Sequence, residues 1–127
     1  MPLRFTRDDA KRRLVLKATE PLTFAEWLDA IGQHLDAGLW SYATVYDARA
    51  ITWTPETSEV RQMVAFIEHA TRTYGPRGPV ALVIDGKDAQ YGMARMYGIL
   101  VDELPFSFKI FSDWDQAEAW LDEPDRE

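Results

Sequence analysis

An α/β fold built on a five-stranded, mostly parallel sheet is what this sequence predicts, and three observations predict it. Short segments of alternating or continuous apolar character are separated by longer ones whose apolar residues recur at helical spacing. One short segment, Val80–Ile84, is apolar throughout, as a strand covered on both faces has to be. Proline and glycine fall between segments and seldom inside them. The order reads β-β-α-β-α-β-α-β-α. Helices between strands imply right-handed crossovers and parallel pairing from the second strand onward.

Leu3–Thr6 and Arg12–Ala18 read as a hairpin around the polar turn from Arg7 to Lys11. In the second strand Leu14 and Leu16 alternate with Arg13, Val15 and Lys17, giving one apolar face and one partly wet face. Pro21 ends the hairpin. Thr23 with Glu26 forms a capping box, and Phe24, Trp27, Leu28, Ile31 and Leu35 make the stripe of a first helix that Gly38 stops. Tyr42–Tyr46 is the central strand. Thr54 is placed to cap the next helix and Pro55 to occupy its first turn, and the helix runs to Gly75.

After Val80–Ile84, Asp85–Asp88 turns the chain into a third helix, Ala89 to Glu103, whose inner face is Ala94, Tyr97, Val101 and Leu104. Gly92 and Gly98 weaken that helix by about 1 kcal/mol each and suggest close approach to the sheet or to another chain. Pro105 ends it. Phe106–Phe111 alternates as a strand, and Ser112 or Asp113 caps a last helix that points Trp114, Ala117 and Leu121 inward. Polar residues at Arg13, Lys17, Thr44, Ser107 and Lys109 suggest that one sheet face is only partly covered, with the helices mainly on the other.

A length of 127 residues predicts one domain spanning 1–127, large enough to fold without a metal or disulfide. The chain has no cysteine, which excludes disulfides and thiolate chemistry. Met1 to Asp8 contains no apolar signal region, and no run is long enough to span a bilayer, so a cytoplasmic protein is expected. A net charge of −7 argues against nucleic acid as a partner. Basic residues crowd the start of the chain and acidic residues its end. Two solvated faces explain this polarity, though it can also steer a partner or a second copy.

The stretch Val45-Tyr46-Asp47 leading through a loop to Thr54-Pro55-Glu56-Thr57-Ser58, with the ending Phe108-Lys109-Ile110-Phe111 and Ala117-Glu118-Ala119-Trp120-Leu121, resembles the STAS family. Its founding members are bacterial anti-sigma factor antagonists of SpoIIAA-like fold, and small SpoIIAA-like, STAS/SEC14-like proteins are similar as well. The resemblance covers nearly the whole chain in pattern and implies a regulatory, protein-binding module, with a serine phosphorylated at the start of the helix after the central strand. The family's Asp-Ser-Ser-Gly surrounding is replaced here by Pro55-Glu56-Thr57-Ser58, so Thr57 and Ser58 are the matching hydroxyls and also ordinary first-turn residues.

Candidate chemistry gathers at the carboxyl ends of the central strands. Asp47 and Asp85 can hold Mg²⁺ between them, which would suit phosphoryl transfer or hydrolysis. Alternatively Asp47 pairs with Arg49 and Asp85 serves a turn, the favoured reading because no further catalytic partner presents itself. No cofactor is implied. His34 and His69 lack ligand-like spacing and read as surface or half-buried residues. Of the aromatic residues Trp40, Tyr42, Tyr46, Trp53, Tyr91 and Tyr97, Trp53 and Tyr91 can wall a small apolar pocket, anchor an interface, or simply lid the core. The expected functional surface is therefore Asp47, Arg49, Trp53, Asp85, Lys87 and Tyr91, with Thr57 and Ser58 beside it. It would serve a protein partner or homodimer, or a small lipid or nucleotide ligand.

Overall fold

The computed structural model describes residues 3–52, 55–85, 88–102, 104 and 106–123, and at 88–91 and 93 the backbone alone. The expected element order is present: β1 (Leu3–Asp8), β2 (Arg13–Ala18), α1 (Phe24–Asp36), β3 (Ala43–Asp47), α2 (Thr57–Tyr74), β4 (Val80–Val83), α3 (Asp88–Val101), β5 (Phe108–Phe111) and α4 (Trp114–Asp122). The sheet runs β1-β2-β3-β4-β5, with β1 antiparallel to β2 and every other pairing parallel. Tyr46 sits opposite Leu82, so β3 and β4 bring their carboxyl ends to a common rim.

Each crossover steps one strand in the same direction with the same hand, which places α1, α2 and α3 on one face. Leu14, Leu16, Tyr46, Val80, Leu82 and Phe108 face those helices. The chain then turns back after β5, and α4 covers the opposite face. There Ala117, Trp120 and Leu121 pack on Ala43, Val45, Ala81, Val83 and Phe111. Arg13 also lies on this side and is buried. Its Nη1 and Nη2 donate to Glu118 at 2.6 Å and Asp122 at 2.7 Å, clamping α4 to β2.

Local chemistry explains most element ends. Thr23 accepts from the Glu26 N–H while the Glu26 carboxylate accepts from the Thr23 N–H, the expected capping box. Gly38 follows α1 at φ 74°, a conformation that favours glycine. Asp113 caps α4 by accepting from the Gln116 N–H. The start of α2 corrects the sequence expectation: Pro55 precedes the helix, and Glu56 is its cap. The Glu56 N–H donates to the Glu59 carboxylate at 2.9 Å, so two carboxylates do the work assigned to Thr54, which lies outside the described residues.

Three further expectations need correction. Thr44 and Arg13 are buried, so neither marks an uncovered face. His34 is buried as well, its ring stacked on Phe5 at 5.1 Å. Gly98 does allow close approach, since an added Cβ would lie 3.4 Å from the Phe108 ring, whereas among the described residues nothing lies within 4 Å of a Cβ added at Gly92, so it does not approach the sheet. Pro105 lies outside the described residues. Among the described residues no helix is long and apolar enough to cross a membrane.

Candidate functional site

Strand alternation divides the predicted surface into two places. On β3, Asp47 follows the register of Ala43 and Val45 and therefore belongs to the α4 face. Tyr46 and Ala48 point the other way, toward α1–α3. The two sides have different chemistry.

On the α4 side, Asp47 is buried and takes a bidentate pair from Arg49. Nε donates to Oδ1 at 2.9 Å and Nη2 to Oδ2 at 2.8 Å, and the Arg49 N–H also reaches Oδ1 at 3.2 Å. The hydrogen bond from the Arg49 side chain, outweighing burial, holds the Asp47 carboxyl below the usual carboxylate range, with Lys17 adding to the effect. Arg49 in turn lies over the Trp114 ring, 5.7 Å from its centroid. Both oxygens of Asp47 are thus engaged in a turn-closing ion pair. Asp85 is exposed beyond the end of β4. Among the described residues no group of three or more His, Asp and Glu side chains is placed to hold a metal ion.

On the α1–α3 side lies a cavity of about 130 Å³. Its floor is Tyr46, Val80, Leu82, Ile84 and Phe108, and its roof comes from Trp27 and Ile31 of α1, Met63 of α2, and Ala94 and Tyr97 of α3. It follows β4 for four residue steps, roughly 13 Å at the strand rise. Ala48, Ile51 and Pro55 line it at the carboxyl rim. Val80 and Arg77 line it at the opposite end. Trp27 and Tyr46 pack at 5.5 Å between centroids, and Tyr97 meets Phe108 edge to face at 4.9 Å. Of the α1 stripe, Phe24, Trp27 and Ile31 line the cavity, Phe24 and Trp27 half-buried and Ile31 fully buried.

Arg77 was not anticipated. It stands in the loop Gly75–Pro79, yet only 7% of it is exposed. Its Nη2 donates to the Tyr46 hydroxyl at 2.9 Å, and its guanidinium lies 5.0 Å from the Trp40 ring centroid and 5.6 Å from that of Phe106. The Tyr97 hydroxyl is its other neighbour. Burial pushes that phenol up to about 12, with the arginine's charge opposing. Burial likewise lowers His34 to about 4, helped by the charge on Arg77. The loop is held firmly: Trp40 Nε1 donates to Gly75 O at 3.0 Å, and the Gly78 N–H to Trp40 O at 3.0 Å. A Cβ at position 78 would collide with the backbone of Ser41 and Tyr42.

Of the other predicted site residues, Thr57 and Ser58 are exposed in the first turn of α2, between Glu56 and Glu59. Trp53 and Lys87 lie outside the described residues, as does the side chain of Tyr91. The pocket walls that are described come instead from Trp27, Tyr46 and Tyr97. A signal for Arg77 does exist in the sequence. No acidic residue occurs between Glu68 and Asp85, so this cation precedes the most apolar strand without a local partner.

No protein-family model, no curated protein and no solved structure matches the chain.

Proposed function

We propose that the protein is a non-catalytic binding module of STAS-like type that takes a small apolar molecule into the slot between the sheet and α1–α3. The observation that carries this reading is the apolar cavity of about 130 Å³ lined by Trp27, Tyr46, Leu82, Ala94, Tyr97 and Phe108. Protein interiors pack densely and leave few voids larger than a water molecule. Apolar cavities near this size stay dry and admit guests such as benzene. The dimensions favour a single ring or a short acyl chain over a nucleotide.

The same geometry supports a regulatory role. Pro55 and Ile51 in the cavity wall belong to the loop that leads into the exposed first turn of α2, with Thr57 and Ser58. A guest pressing on that loop alters the surface offered to a protein partner or a second copy. The order of elements supports the STAS likeness, and the engagement of Asp47 by Arg49 supports a binding role over metal-assisted catalysis.

The test is a methyl NMR titration with benzene. The expected result is saturable shifts at Ile31, Met63, Leu82 and Ile84, abolished in Ala94→Leu, whose added carbons occupy the cavity. Methyl signals indifferent to benzene would remove the proposal.

A further inference from the structure

Resting on that reading of the slot, we propose that its ligand is a monocarboxylate, held with its apolar body along β4 and its charge against Arg77. The motive is a contrast in how the chain treats two buried arginines. Arg13 meets Glu118 and Asp122 at 2.6 and 2.7 Å. Arg77 is as deeply buried, and among the described residues no carboxylate forms an ion pair with it. A guanidinium removed from water without a counter-charge is costly, and ring faces with the hydroxyls of Tyr46 and Tyr97 offset only part of that cost.

The position of Arg77 turns this deficit into a binding site. It lines the cavity together with Tyr46 and Tyr97 at the end away from the rim, and the rest of the wall is hydrocarbon. In the structure the guanidinium and the Tyr46 hydroxyl satisfy one another, so no charged surface is wasted on an apolar wall. Tyr46 Oη accepts from Arg77, which leaves its own O–H proton to donate. A carboxylate at this end would take the place of the Tyr46 hydroxyl on Arg77, exchanging a neutral acceptor for a charged one, the stronger of the two arrangements. The loop backbone on either side of Arg77 is pinned by Trp40 and by the close approach at Gly78. One cation in a slot this narrow selects a monoanion over a phosphate dianion. The carboxylate is common to free aromatic acids and to short fatty acids, which differ in the shape of the body they place along β4.

Isothermal titration with two matched pairs tests the proposal: benzoate against benzyl alcohol, and hexanoate against hexanol. At least one acid is expected to bind tenfold or more tighter than its alcohol, and the pair with the larger preference identifies the source. Arg77→Met should erase the preference, the acid's affinity falling to that of its alcohol. In the wild-type chain the Arg77 Nε–H resonance should move with the preferred acid and stay still with its alcohol, a readout that does not require the variant to fold. Alcohols binding as tightly as acids would overturn the carboxylate assignment while leaving the slot intact. Neither acid nor alcohol binding would overturn both. An Arg77 resonance unmoved by a bound acid would also sink the assignment.

Discussion

Against one face of the sheet, α4 lays Ala117, Trp120 and Leu121 directly on Ala43, Val45, Ala81 and Val83, and Arg13 locks the helix with two carboxylates. Against the other, α1, α2 and α3 arch over Tyr46, Leu82 and Phe108 and leave about 130 Å³ between them. Both layers have ample apolar material. The difference lies in side-chain size and in the number of helices. Three alanines at the α4 contact let a single helix sit close, whereas large residues and three helices prop each other open on the other side. Beneath α4 the contact is close, while Lys17 and Lys109 on the same side of the sheet stay exposed. The unsealed face is where a guest belongs.

The sharpest way to break this comparison is to make the same substitution on both sides. Ala117 is fully buried against β3 and β4, so Ala117→Leu overpacks a closed layer and should cost about 1–3 kcal/mol in urea unfolding. Ala94→Leu adds the same carbons into the cavity and should cost nothing or stabilise. Equal losses would mean that the two faces are packed alike.

A smaller effect compares the two arginines. Arg13→Met leaves Glu118 and Asp122, both partly hydrated, without their shared cation and should cost about 1–2 kcal/mol. Arg77→Met replaces a buried cation that pairs with no carboxylate among the described residues by an apolar side chain of similar length, and should leave stability within about 1 kcal/mol of wild type or raise it. The check is again the unfolding midpoint at constant slope. Arg77→Met proving the costlier change would show that its charge is compensated in the folded chain.

Much of the fold was legible because its signals are local. Val80–Ile84 could only be an inner strand, and Thr23 with Glu26 could hardly be anything but a helix start. The start of α2 was misread because Thr54-Pro55 mimics a cap followed by a first turn, while the working cap is a pair of glutamates three residues apart. His34 was misjudged since a histidine beside polar neighbours looks exposed, although it falls on the buried side of α1. The Asp47–Arg49 pair was within reach, being two residues apart at a turn. The cavity was not. A hydrophobic stripe says which side of a helix faces inward, but the width of the gap beneath it depends on three helices at once. Arg77 was hidden for a similar reason: between glycine and proline it reads as a loop residue, and only the packing of Trp40, Tyr46 and Phe106 around it reveals burial.

The most direct test of the difference between the faces is a crystal of the protein pressurised with xenon. Xenon density should appear between Leu82, Ala94 and Phe108, and none between α4 and the sheet. Xenon missing from the first place, or present in both, would contradict the account.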